Sequence, residues 1–111
     1  MVQYSPALDT TFSALSDATR RGILEQLGRR DASISELAER FEMTLTGIKK
    51  HVQVLEQARL VTSEKAGRVR TCRLGPRRLK DEAAWISKYR SMLEARLDSL
   101  ESFLERSQGE P

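Results

Sequence analysis

Two helix-start signals in the middle of the chain restrict its fold more than any other feature. The segment Ser33–Glu36 has the form of a capping box, in which a hydroxyl and a glutamate three residues later accept hydrogen bonds from each other's backbone N–H groups. Thr44 offers a second helix cap, and only Glu42-Met43 separates it from the first helical pattern. We therefore predict a short helix over 33–41, a tight break, and a longer helix from Thr44 to about Gln57.

A β-hairpin is expected directly after these helices. Leu60–Glu64 and Val69–Leu74 are rich in β-forming residues, and the turn between them is expected to carry Lys65, Ala66, Gly67 and Arg68. Because alternate residues of a strand share a face, we expect Arg68 and Arg70 to project together while Val69 faces inward.

Three further helices complete the prediction. A short amphipathic helix covers about Ala7–Leu15, and a second one is capped by Ser16 or Asp17 and ends at Gly28. Pro76 marks the start of a last helix. The fold class is mainly α with a small β-hairpin, a winged helix-turn-helix of about five helices and a two-stranded wing. One domain over 1–111 is expected to hold the helix-turn-helix at about 33–57, the wing at about 60–74 and a dimerisation helix at about 77–106.

The charge is strongly uneven along the chain, although the formal net charge is only +3. From Met43 to Lys80, ten Lys or Arg residues face two acids, a balance of +8. From Asp81 to Pro111, seven acids face four bases, a balance of −3. A basic middle segment indicates a polyanionic partner for that segment. The alternative is a solvated surface without a ligand.

The short helix pair followed by a basic hairpin indicates binding to double-stranded DNA. A major groove about 12 Å wide admits one helix, and residues near the N-terminus of that helix reach the base edges. Basic hairpin residues suit phosphates or a minor groove. Gly47 is expected to leave room for a close approach of DNA. The predicted DNA-binding residues are Thr44, Thr46, Gly47, Lys49, Lys50 and Gln53 of the helix and Lys65, Arg68 and Arg70 of the hairpin.

The last predicted helix carries an apolar stripe that is wider than a small winged helix needs for its own packing. Burial of each large apolar side chain stabilises a protein by about 1.5–3 kcal/mol, so a stripe that stays exposed to water loses this stabilisation. Pairing with a second subunit restores it, and the alternative is that the helix folds back onto its own domain. The predicted homodimer residues are Leu8, Phe12, Ile86, Tyr89, Leu93, Leu97, Leu100 and Leu104.

Stretches over nearly the whole chain carry a family resemblance. They are Phe12–Arg21 with Ile23-Leu24, Ile34–Ala38, His51–Val61, the Gly67-Arg68 turn and the tail from Tyr89 to Leu100. In this order and spacing they resemble the ArsR/SmtB family of bacterial winged-helix repressors, and the tail is similar to a branch that senses no metal. Arg59 departs from the glycine that is usual in this family, which bears on the geometry of the turn.

The resemblance implies a homodimeric repressor that binds an imperfect palindrome near a promoter, often its own. The two recognition helices of such a dimer would meet successive major grooves about 34 Å apart.

No metal site, cofactor or catalytic site is expected. One Cys and one His per chain cannot build a four-ligand transition-metal site, even across a dimer, unless carboxylates supply the remaining ligands. Metal-sensing members of the resembled family have a cysteine-rich stretch where this chain has Ser35–Glu39, and the last helix has no histidine. The chain shows no glycine-rich phosphate loop and no nucleophile with a plausible base, so it is not expected to be an enzyme.

The sequence favours a cytoplasmic protein. It has no run of about 18 apolar residues, and its N-terminus lacks the pattern of a signal peptide. A single cysteine fits a reducing compartment.

His51 and Cys72 are each the single residue of their type. We interpret His51 as a partly buried helix residue, rather than a DNA contact or a pH-sensitive group. We interpret Cys72 as a small packed hydrophobic residue. One alternative is a thiol-responsive regulator that uses Cys72, since neighbouring cations favour a thiolate. Another is a winged-helix protein-interaction module that does not bind DNA. The sequence identifies no small-molecule effector.

Overall fold

The computed structural model describes residues 5–109, which form five helices and three strands. They belong to two compact units, one up to Arg78 and the other from Leu79. The first unit holds four helices and the strands, and the second is one long helix. A single domain over 1–111 stays a prediction. None of the helices within 5–109 has the length and apolar character needed to cross a membrane.

Two capped helices open the first unit. Helix α1 spans Pro6–Leu15 and is capped by the hydroxyl of Ser5. Helix α2 spans Ala18–Arg29, and of the two caps considered it uses Asp17, whose Oδ2 accepts from the backbone N–H of Arg20 at 3.0 Å. That hydrogen bond favours the ionised carboxylate and holds the pKa of Asp17 below its usual value.

Both helices predicted in the middle of the chain are present. Helix α3 spans Ile34–Arg40, and its capping box is complete, because the Ser33 hydroxyl accepts from the Glu36 N–H at 3.1 Å and the Glu36 carboxylate accepts from the Ser33 N–H at 3.3 Å. Helix α4 spans Leu45–Gln57 and is capped by the hydroxyl of Thr44. The local signals at Ser33 and Thr44 therefore place both helix starts correctly.

The sheet has three antiparallel strands rather than two. They are β1 (Ala32–Ser33), β2 (Val61–Ala66) and β3 (Val69–Leu74), in the order β1-β3-β2. The hairpin prediction is confirmed, but the turn is shorter than expected. Because Ala66 pairs with Val69, only Gly67-Arg68 lies in the turn, and Lys65 belongs to β2.

The expected orientation of Val69 is wrong. Cys72 is the buried residue of β3, and Arg70 shares its face because it lies two residues away. Val69 lies on the other face and is 53% exposed. Every residue from Lys65 to Arg70 is exposed, so the tip of the hairpin lies beyond the hydrophobic core.

The core of the first unit lies where α2, α3 and α4 meet the sheet. The three residues of α4 that were predicted to face inward, Ile48, Val52 and Leu55, are all buried. The other fully buried large side chains are Thr11, Ile23, Leu37, Val61 and Cys72. This core holds one face of α4 in place and leaves the opposite face to solvent.

A strained turn connects α4 to the sheet. Arg59 adopts a φ of 60°, in the left-handed region that non-glycine residues rarely occupy. The N–H of Gly75 donates to the carbonyl of Leu60 at 2.8 Å, which ties the end of β3 to this turn. Arg59 therefore replaces the glycine that is usual in the resembled family at a position whose backbone conformation favours glycine.

The last helix, α5, spans Lys80–Gly109 and begins later than predicted. Leu79 has a φ of 55°, outside the helical region. Arg77, which was expected to be helical, instead donates to Thr11 Oγ1 at 2.7 Å and to the carbonyl of Ala58 at 3.2 Å. These non-local hydrogen bonds keep Pro76 and Arg77 outside the helix.

Candidate nucleic-acid interface

The solvent-facing side of α4 carries the side chains predicted to bind DNA. Thr44, Thr46, Lys49, Lys50 and Gln53 are all exposed. They extend from the N-cap Thr44 past the middle of α4 to Gln53. The N-terminal residues of a helix that lies in a major groove are the ones that reach base edges. The buried residues on the other side of α4 fix the orientation of this surface.

Gly47 has a structural explanation inside the chain. Its N–H donates to Thr44 Oγ1 at 3.0 Å, and a Cβ at this position would lie 3.2 Å from both that oxygen and Met43 Cε. The sequence suggested that Gly47 is small to leave room for DNA. In the structure its small size also leaves room for the helix cap. DNA contact by Gly47 stays a prediction.

A groove of about 630 Å³ lies between α4 and the hairpin. One wall is the α4 face and the start of α3, and the other is the tip of the hairpin. Four basic side chains line it, together with the amide of Gln53: Lys49, Lys65, Arg68 and Arg70. The structure thus brings five of the nine predicted DNA-binding residues into one basic groove, whereas Thr44, Thr46, Gly47 and Lys50 lie outside its lining.

Two hydrogen bonds through Ser63 connect Arg70 and Glu56, which both line this groove. Arg70 Nη1 donates to Ser63 Oγ at 3.0 Å, and Ser63 Oγ donates to Glu56 Oε1 at 2.9 Å. Strand β3 is thereby connected through β2 to α4. Sequence reasoning did not find Glu56 or Ser63, because these hydrogen bonds depend on a strand register that no local pattern specifies.

Arg73 takes a different role from the other basic residues of the hairpin. Its guanidinium lies 3.6 Å from a carboxylate oxygen of Glu64 and 3.9 Å from one of Asp31. It lies on the face of β3 opposite Arg70, and all three side chains are about half exposed or more. Such exposed pairs contribute at most about 1 kcal/mol.

His51 joins α4 to the first two helices. Its Nδ1 lies 3.3 Å from Arg20 Nη1 and 3.8 Å from Asp17 Oδ2, and 20% of its side chain is exposed. The same guanidinium donates to the carbonyls of Ser13 at 3.0 Å and Ala14 at 2.8 Å. His51 is partly buried, as interpreted from the sequence, and its Nδ1 lies near the side chains of Arg20 and Asp17.

Cys72 is fully buried in the sheet. Burial, reinforced by the charge of Glu56, raises the pKa of its thiol to about 11, and the opposing effect of Arg70 is smaller. A buried thiol that stays protonated near neutral pH is a poor redox sensor. The structure therefore speaks against the thiol-responsive alternative.

The predicted dimer residues lie on two helices. Leu8 and Phe12 of α1 are half-buried in the first unit. The α5 residues are all about half exposed: Ile86, Tyr89, Leu93, Leu97, Leu100 and Leu104. Trp85 stacks on Tyr89 with a ring-centroid distance of 5.8 Å, and both are also about half exposed. A second subunit at this stripe stays a prediction.

Leu45 is an exposed groove residue that sequence reasoning missed. It is the first residue of α4, 48% of it is exposed, and it lines the basic groove. Its spacing from Ile48, Val52 and Leu55 matches their buried face, so the sequence carries no signal that would have distinguished it from the core.

No group of three or more His, Cys, Asp or Glu side chains within 5–109 is placed to hold a metal ion.

Comparison with known proteins identifies the family. A family model described as a helix-turn-helix domain matches residues 15–64. The transcriptional repressor SdpR of Bacillus subtilis is 30% identical over 79 residues, which cover 71% of this chain and 88% of that protein. A solved ArsR family transcriptional regulator is 38% identical with a TM-score of 0.74, covering 85% of this chain and 97% of that one. An ArsR-like transcriptional regulator from Rhodococcus sp. RHA1 is 35% identical with a TM-score of 0.73, covering 90% and 92%.

The resemblance predicted from the sequence is confirmed by these relatives, and so is the winged helix-turn-helix fold. They also decide against a protein-interaction module without DNA binding. The chain belongs to the ArsR family of winged helix-turn-helix transcriptional regulators, and it is a DNA-binding regulator and not an enzyme.

Proposed function

We propose that the protein is a homodimeric repressor that reads a palindromic operator near its own promoter with the exposed side of α4. The observation that carries the proposal is the basic groove, in which Lys49 and Gln53 of α4 face Lys65, Arg68 and Arg70 of the hairpin. A helix such as α4 fits a DNA major groove, and the basic side chains of the β-hairpin can neutralise the phosphates that border that groove. A protein bound to chromosomal DNA would work in the cytoplasm.

The apolar stripe of α5 supports the homodimer. Six large side chains spaced by three or four residues are each about half exposed in the single chain. Covering the remaining half of each with a second copy is worth about 1 kcal/mol per side chain. Two copies related by a twofold axis would present two α4 helices to the two halves of a palindrome. Repression would follow because the bound dimer occludes the promoter.

The DNA-binding part is tested with a Lys49→Ala, Lys50→Ala variant and a duplex that covers the DNA upstream of the protein's own coding region. We expect affinity to fall and the salt dependence of log K to flatten by about 0.9 for each phosphate that the variant no longer neutralises. The matched control is Lys80→Ala, Lys88→Ala, which removes the same charge from α5 and should bind like wild type. Equal binding by all three proteins would refute the assignment of α4.

The dimer is tested separately by sedimentation of a Leu97→Asp, Leu100→Asp variant. Two buried charges in an apolar interface are costly, so we expect monomers. The matched control, Ser91→Asp, Ser102→Asp, places the same charges on the other side of α5 and should remain dimeric. A wild-type protein that sediments as a monomer at micromolar concentration would refute the homodimer.

A further inference from the structure

Leu45 differs from the other residues on the exposed side of α4 because it is large and apolar but still exposed to solvent. It begins α4, where the neighbouring Thr44 and Thr46 are polar, and 48% of it is exposed. Leu45 continues the spacing of the buried residues Ile48, Val52 and Leu55, but the core does not extend to it, so burial in the core does not account for a leucine at this position. An exposed leucine at the first turn of a recognition helix is positioned to meet base edges.

The surroundings of Leu45 indicate what it meets. Leu45, Lys49 and Gln53 recur every four residues, so they lie on one side of α4, and all three line the basic groove. The opposite wall carries Lys65 and Arg70. Positive charge on both walls favours a polyanion, which under the proposed function is DNA, and Leu45 lies beside the side chains that would contact it.

The major-groove edge of DNA offers one apolar group, the C5 methyl of thymine. A leucine side chain has no hydrogen-bonding group, so it cannot distinguish the donor and acceptor patterns of the bases, but it gains from burying a methyl group. We propose that Leu45 contacts a thymine methyl in each half-site and makes the operator prefer thymine at that position. This inference rests on the proposed reading of DNA by α4.

The test removes the methyl group and nothing else. A tight-binding duplex is first selected with the wild-type protein from a random pool, and each symmetric pair of thymines is then replaced by deoxyuridine. We expect one pair to lower affinity about 15-fold, which corresponds to about fourfold for each methyl group no longer buried. Leu45→Ala should bind the thymine and deoxyuridine duplexes equally. Alanine is a strong helix former, so α4 is retained, as circular dichroism would show.

Two control variants separate this inference from the proposed function. Leu74→Ala truncates another leucine that is 46% exposed but does not line the groove, and it should keep the wild-type discrimination. Lys49→Ala, Lys50→Ala should bind every duplex more weakly.

A wild-type protein indifferent to all deoxyuridine substitutions would overturn the role of Leu45, and so would discrimination that persists in Leu45→Ala. Either result leaves the proposed function standing if the double lysine variant still binds more weakly. If the double lysine variant binds like wild type, the proposed binding of DNA by α4 is refuted, whatever the result for Leu45.

Discussion

Replacement of Gly75 by alanine tests the strained connection between α4 and the hairpin. A Cβ at Gly75 would lie 2.4 Å from the carbonyl oxygen of Arg59, whereas ordinary contacts of this kind begin at 3.4 Å. The obstacle is backbone, so it cannot rotate away, and the Gly75 N–H is held by the Leu60 carbonyl at 2.8 Å. Relief therefore requires loss of this hydrogen bond, about 1 kcal/mol, together with overpacking strain of about 2 kcal/mol.

We expect Gly75→Ala to lower the free energy of unfolding by about 3 kcal/mol and Tm by about 12 °C. The matched control is Gly28→Ala in α2, where a Cβ would meet only Leu74 Cδ1 at 4.0 Å. There alanine should stabilise the helix by up to about 1 kcal/mol. Urea unfolding followed by circular dichroism at one protein concentration measures both. A Gly75→Ala protein within about 0.5 kcal/mol of wild type, or two variants shifted in the same direction, would refute the reasoning.

Three further predictions concern single residues. Arg59→Gly removes a side chain from a position with a φ of 60° and should stabilise the fold by about 1 kcal/mol; a urea midpoint below that of wild type would contradict this. The Cys72 thiol, with its pKa raised to about 11, should react with iodoacetamide at pH 8 far more slowly in the folded than in the urea-unfolded protein. Because the unfolded chain loses this proton near its ordinary pKa of 9.0 and the folded chain retains it to about 11, stability should fall as pH rises between these values. Asp17 has a lowered pKa, so its contribution to stability is present above the ordinary value of 3.8 and is lost as pH falls below it. Asp17→Asn should therefore flatten the acid side of the stability profile, and an unchanged profile would exclude this role.

Features that depend on one helical turn could be predicted from the sequence. The capping box at Ser33 and Glu36 and the cap at Thr44 involve residues three apart, and their geometry follows from residue type alone. The buried face of α4 follows from the period of the helix. The exposed polar side of α4, and hence most of the candidate site, could therefore be located from the sequence.

Features that depend on distant partners could not be predicted in the same way. Strand β1 has only two residues, and it is a strand because Ala32 pairs with Cys72 on β3. Helix α5 starts late because Arg77 bonds to Thr11, 66 residues earlier. Leu45 continues the spacing of the core residues, and only the finite extent of the core exposes it.

The guanidinium of Arg20 connects α1 to α4 through hydrogen bonds. It holds the carbonyls of Ser13 and Ala14 at the end of α1 and meets His51 in the middle of α4. Tilting α1 alone would break these hydrogen bonds, each worth about 1 kcal/mol, so the contacts of Arg20 favour movement of α1 together with α4. In the proposed homodimer, a displacement of the two α1 helices would therefore be expected to change the distance between the two α4 helices.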